Sequence, residues 1–176
     1  HLEIKIVDEN GKVVPRGKLG ELCVRGYSVM LGYWEDNDKT QEVIDVAKWM
    51  HTGDIAEMDE EGFVKIKGRI KDVVIRGGEN LFPKEIEDFL YTHPDVSDVQ
   101  VIGLPDPRYG EELCACIILH EHHQINEEAI RKYCAEHISH NKVPRYVRFF
   151  TEFPMTASGK AQKFKLQELM RQELNL

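Results

Sequence analysis

Four short segments hold the side chains best suited to chemistry. His51-Thr52-Gly53-Asp54 presents a carboxylate beside a glycine. A carboxylate accepts hydrogen bonds from two neighbouring hydroxyls, as on a ribose, and glycine lets the backbone come close to the sugar. Gly68-Arg69-Ile70-Lys71 follows, and then Arg76-Gly77-Gly78-Glu79-Asn80, a tight turn calling for positive φ. In Pro154-Met155-Thr156-Ala157-Ser158-Gly159-Lys160 the proline and glycine shape a loop that projects one ammonium, a point charge able to stabilise developing negative charge. Singly, Asp54 reads as a turn residue, Arg69 as a surface ion pair, Lys71 as ordinary and Lys160 as a solvated loop residue. Their order, with Pro-x-Thr-x-x-Gly-Lys about 90 residues after Gly68-Arg69, gives them joint meaning.

The elements that must position these groups change character near Arg69. Before it the pattern is mainly β. Leu2, Ile4 and Ile6 alternate with charged residues ahead of an Asn10-Gly11 turn, which predicts an opening hairpin returning through Val13 and Val14. Leu22 to Arg25 reads as a strand and Thr40 to Val46 as a short helix. Ile55–Met58 and Phe63–Lys67 read as a hairpin around Asp59-Glu60-Glu61-Gly62. Short strands without a helical layer of their own suggest a piece of a larger barrel with exposed edges. After Arg69, strands alternate with helices. Asp72 to Arg76 is a strand, and the Gly77-Gly78 turn leads to a helix opening at Pro83 with Ile86, Phe89 and Leu90 on its apolar face. His93-Pro94 stops it. Val99–Leu104 and Leu113–Leu119 are near-continuous apolar runs, as expected of strands buried on both faces. Asn126 caps a helix with Ile130, Cys134 and Ile138 on one stripe, Val147 to Phe150 is a strand, and a last helix carries Phe164, Leu166, Leu169 and Met170.

The chain has 176 residues, 41% hydrophobic and 31% charged, enough for a small domain with part of another. No apolar run approaches the roughly 18 residues of a membrane span. Cys23, Cys114, Cys116 and Cys134 lack CxxC spacing and sit in apolar segments, which reads as small core residues in a reducing compartment and gives no metal site. His120-Glu121-His122-His123 falls at a strand end, where a solvated turn is expected rather than a metal centre. The net charge of -8 argues against a general nucleic-acid binder. From Lys142 onward, however, seven Lys or Arg face three acids, a local basic end suited to a polyanionic small ligand.

The segment GRIKDVVIRGGENLFPKEIE, with HTGD upstream and PMTASGK downstream, resembles the adenylate-forming superfamily of acyl-CoA synthetases, peptide-synthetase adenylation domains and luciferases. Gly26 to Trp34 and Ile75 to Asn80 look most like the medium-chain fatty acyl-CoA synthetase branch. The resemblance, from about Glu3 onward, implies an α+β chain in two parts. Residues 1–70 are the β-rich end of a large amino-terminal AMP-binding domain, a small β-barrel fragment. Residues 71–176 form a mobile, compact mixed α/β carboxy-terminal domain with a central sheet flanked by helices. It further implies an AMP-forming acid–thiol ligase that joins a fatty or other carboxylic acid to ATP as an acyl-adenylate, then passes the acyl group to coenzyme A.

Within that scheme Lys160 is catalytic, bridging carboxylate and α-phosphate in the first half-reaction. Asp54 and Arg69 hold the nucleotide, Gly77 and Gly78 leave room for the pantetheine arm in the second half-reaction, and Lys71 is the hinge. Family members often carry an aromatic or basic residue after the second glycine, where this chain has Glu79 and Asn80. The phosphate loop, the acyl pocket and the Mg2+ site are expected in the amino-terminal domain, so the chain alone is expected to be inactive. The mitochondrial matrix and the cytoplasm are both compatible compartments. The alternatives are an adenylation domain that loads a carrier protein, and a non-catalytic interaction module.

Overall fold

The computed structural model describes residues 1–176, which divide into two compact units, His1–Lys71 and Asp72–Leu176. In the first unit four antiparallel strands form one sheet in the order β1 (Leu2–Val7), β2 (Gly20–Gly26), β3 (Met50–Met58) and β4 (Val64–Arg69). The sheet is open. Its end strands β1 and β4 do not pair, so no barrel closes within these residues. Asn10-Gly11 does turn the chain, with the Asp8 carboxylate accepting from the Asn10 and Lys12 amides at 2.9 Å. The expected opening hairpin forms but is short, with a Val7–Val13 bridge flanked by the Asp8 amide donating to the Lys12 carbonyl at 2.9 Å and the Val14 amide to the Ile6 carbonyl at 3.0 Å, while β1 pairs along its length with β2. Helix α1 spans Asn37–Val43, earlier than the Thr40–Val46 reading, because the Asp36 carboxylate caps it by accepting from the Lys39 amide. Tyr27, Leu31 and Trp34 stand largely exposed in the connection between β2 and α1.

The second unit has three layers. β8 (Gly110–Leu119) lies at the centre, paired antiparallel along its length with β7 (Val96–Asp106) and parallel with β9 (Tyr146–Phe149). Alternation explains the continuous apolar runs. Leu113, Ala115 and Ile117 of β8, with Val99 and Val101 of β7, pack under α2 (Pro83–Leu90) and α3 (Glu127–His137). Cys114 and Cys116, with Ile102 and Leu104, face Leu166 and Met170 of α4 (Lys163–Leu174). Burying both faces of two strands removes most of the core from water, at about 25 cal/mol per Å² of apolar surface. Asn126 caps α3 by accepting from the Ala129 amide at 2.8 Å. α4 buries a narrower stripe than expected: Leu166 and Met170 are inside, while Phe164 and Leu169 remain largely exposed.

Two further differences concern the functional segments. The Gly77-Gly78 turn does not lead straight from strand to helix. It closes a hairpin between β5 (Val74–Arg76) and β6 (Glu79–Leu81), and α2 begins only after it, with Pro83 in the first turn. Asp72 lies outside the strand, in a 3-10 turn over Ile70–Asp72. All four cysteines are free and buried, and burial raises the Cys23 and Cys134 thiols to about 11. His120 to His123 form an exposed turn in which His123 pairs with Asp95.

Candidate nucleotide and transfer site

Asp54 and Arg69, fifteen residues apart in sequence, are direct partners in the β3–β4 register. Their side chains meet, Arg69 Nε lying 2.8 Å from Asp54 Oδ1. This contact uses one oxygen of the carboxylate and one nitrogen of the guanidinium, and Asp54 Oδ2 and both Arg69 Nη groups take no part in it. A fixed acceptor beside a fork of donors matches a ribose diol next to a phosphate. The pair is partly solvated, with the Arg69 side chain 53% exposed, so a ligand can reach it.

The strand below Asp54 is braced by residues the motifs alone do not reveal. Thr52 Oγ1 donates to the Leu22 carbonyl at 2.8 Å and accepts from the Asp54 amide at 3.0 Å. Glu21 accepts from the Gly53 amide at 3.1 Å through Oε1 and meets His51 Nδ1 at 2.7 Å through Oε2. Cys23 Sγ lies 3.5 Å from the same His51 nitrogen. Glu21 and His51 thus form a hydrogen-bonded buttress beneath the Thr52–Gly53 peptide, with the Cys23 sulfur beside the same ring nitrogen. Gly53 has φ +70 inside a strand, a conformation that glycine adopts without the Cβ clash of other residues. The signal for this buttress in the sequence would have been the β2–β3 register, which sets Cys23 opposite His51.

Lys160 ends a tight turn in the second unit. The Thr156 amide donates to the Lys160 carbonyl at 2.8 Å, the Lys160 amide to Thr156 Oγ1 at 3.0 Å, and the Gly159 amide to the Thr156 carbonyl at 2.9 Å. Behind the turn, Gln162 donates from Nε2 to the Met155 carbonyl. Lys160 itself is exposed and none of the ion pairs of the chain includes it, so its ammonium stands on a rigid base and remains available. Lys71 is also exposed and lies in the 3-10 turn at the division between the units.

Gly77 and Gly78 have φ of +59 and +85, the left-handed pair required by a two-residue hairpin turn. The Gly77 amide donates to the Tyr109 carbonyl at 2.8 Å. Beneath the turn Arg76 grips Glu112, which is 1% exposed, through contacts of 2.8 and 3.0 Å. Arg145 pairs with Asp106 at 2.6 Å, and the Asp106 carboxyl is held below its usual range first by the Tyr109 amide, then by the Arg108 amide and Arg145.

The basic end is less available than its composition implies. Lys142 pairs with Glu85, Arg145 with Asp106, Arg148 with Glu127 and Glu173, and Lys163 with Glu87. Four of its seven cations are thus committed to structural carboxylates.

The family model for the AMP-binding enzyme C-terminal domain matches residues 85–160, and that for the AMP-binding enzyme matches residues 1–34. With Asp54 paired to Arg69 and Lys160 on its projecting turn, the chain belongs to the AMP-binding, adenylate-forming family. It is similar along its whole length to the mitochondrial medium-chain acyl-CoA ligase of Bos taurus, at 56% identity, and spans 29% of that protein's length. Among solved structures it resembles the o-succinylbenzoate–CoA synthetase of Bacillus subtilis in complex with its acyl-adenylate intermediate. That match has 31% identity and a TM-score of 0.87, covering 94% of this chain and 34% of the other. It also resembles the amide bond synthetase McbA of Marinactinospora thermotolerans, at 35% identity and a TM-score of 0.88, over 97% of this chain and 34% of that one.

Proposed function

We propose that the chain forms the carboxy-terminal part of an ATP-dependent, AMP-forming acyl-CoA synthetase acting on medium-chain fatty acids. The observation that carries this reading is the Asp54–Arg69 pair, in register on adjacent strands with acceptor and donors left over for a nucleotide. Asp54 Oδ2 accepts from the ribose hydroxyls, and the Arg69 Nη groups donate to the ribose and phosphate side. Lys160 then brings its ammonium to the attacking carboxylate and the α-phosphate, where charge accumulates as the acyl-adenylate forms and pyrophosphate leaves.

In the second half-reaction the domain beyond Lys71 pivots and the Gly77-Gly78 turn lines the path of the coenzyme A thiol. The thiol attacks the acyl carbonyl, loses its proton, and AMP departs. An exposed pivot can change its dihedrals without stranding a buried polar group. The open β1–β4 sheet is read as part of a larger barrel in the parent enzyme, which supplies the phosphate loop, the acyl pocket and the residues for Mg2+. A mitochondrial location is inferred from the names of the relatives.

The test is Asp54→Ala in the enzyme containing this chain. The Michaelis constant for ATP should rise about fivefold to 150-fold, because a bound sugar hydroxyl pair loses its acceptor at about 1–3 kcal/mol. An unchanged constant for ATP would refute the nucleotide role of the Asp54–Arg69 pair.

A further inference from the structure

The Gly77-Gly78 turn is anchored from outside its own hairpin. β5 and β6 have three residues each, and β5 joins the central sheet through one pair, Arg76 with Gly110. So short a ladder fixes the direction of a turn poorly. Arg76 and Glu79 flank the glycines as direct cross-strand partners, and both reach the same residue, Asn141, in the 3-10 turn His140–Lys142. Arg76 donates from Nη1 to the Asn141 carbonyl at 3.1 Å, while Asn141 donates from Nδ2 to Glu79 Oε2 at 2.6 Å. One residue thus ties down both shoulders of the turn, 62 positions away from Glu79 in sequence.

The one polar contact of the Asn141 side chain is the Glu79 carboxylate. Glu79 in turn is directed to Asn141 rather than to the open side of the turn, which accounts for an acid at a position where an aromatic or basic group would contact a ligand.

We propose that Asn141 and Glu79 are a positioning pair that fixes the Gly77-Gly78 turn for thiol transfer. The inference rests on the reading of that turn as the thiol path. Neither side chain touches the reacting atoms; they act through the backbone of the two glycines, which must lie close to an extended ligand without a side chain in the way.

Two measurements separate the clamp from its use. In the first, amide hydrogen exchange at Gly77 is followed in this 176-residue chain and in its Asn141→Ala and Glu79→Ala variants. Both variants should exchange faster at Gly77 while the amides of β7 and β8 keep their protection; unchanged exchange at Gly77 overturns the clamp, whatever the enzyme does. In the second, thioester formation from supplied acyl-adenylate is measured in the enzyme containing this chain. Both variants should lose about tenfold to a hundredfold in turnover, as a misdirected site does, with adenylate formation unchanged. The double variant should be no slower than either single variant, because both remove one contact. Glu79→Gln, which keeps an acceptor for Asn141, should retain most of the activity. Faster exchange with unaltered thioester kinetics would show a clamp on a turn that plays no part in thiol transfer. Equal losses in both half-reactions would overturn the assignment to that step.

Discussion

Replacing Lys160 with alanine tests its proposed catalytic role with little disturbance of the fold. The hydrogen bonds of its turn use the backbone of residues 156–160 and the hydroxyls of Thr156 and Ser158, and none uses the Lys160 side chain. The side chain is exposed and forms no ion pair, so its removal should change stability by no more than about 0.5 kcal/mol. Losing one preorganised charge donor from a transition state costs about 100-fold or more, equivalent to about 2.7 kcal/mol in the barrier. The catalytic effect thus exceeds the folding effect about fivefold. In the enzyme containing this chain, Lys160→Ala should lower fatty-acid-dependent ATP–pyrophosphate exchange by at least this factor. Thermal unfolding and thioester formation from supplied acyl-adenylate should stay close to the parent. An equal fall in both half-reactions would refute the restriction of Lys160 to adenylation, and a melting temperature lowered by several degrees would refute the claim that its side chain is structurally idle.

Lys71→Pro fixes φ at the division between the units, and should slow thioester formation more than adenylation; Gly78→Leu should do the same by filling the proposed thiol path and straining the backbone at φ +85, and stopped-flow comparison of the two half-reactions checks both. Asp106→Asn removes the carboxylate that accepts from the Arg108 and Tyr109 amides and pairs with Arg145. Because the folded state holds this carboxyl below the ordinary value of about 3.9, its stabilising effect is present above that value and is lost as pH falls through the lower folded value. Denaturant midpoints should therefore differ between parent and variant at neutral pH and begin to narrow below about pH 4, and a difference that does not shrink as pH falls further would contradict the linkage.

Features written in local signals were legible before the structure. The Asn126 cap, the helix start at Pro83 and the paired runs over Val99–Leu104 and Leu113–Leu119 each depend on residues a few positions apart, and each took its expected form. The hairpin closed by Gly77-Gly78 was missed because three-residue strands are too short to display a period of two. Phe164 and Leu169 have helical spacing, yet periodicity cannot tell how wide a face the neighbouring sheet covers. The candidate site divides in the same way. Asp54, Arg69, Gly77, Gly78 and Lys160 lie in compact motifs, whereas Glu21, Glu112 and Asn141 act across 32, 36 and 65 positions. Only tertiary pairing reveals such partners.

The internal neutralisation of the basic end changes how this chain meets a polyphosphate in solution. Lys142, Arg145, Arg148 and Lys163 already share their fields with carboxylates, and the chain as a whole carries -8. At long range it therefore repels an anionic nucleotide rather than steering it inward. With a Debye length of about 8 Å at physiological ionic strength this repulsion fades, while at 0.01 M it reaches about 30 Å. Encounter between this chain and a polyanion consequently speeds up as salt is first added, the reverse of the dependence expected of an open cationic surface.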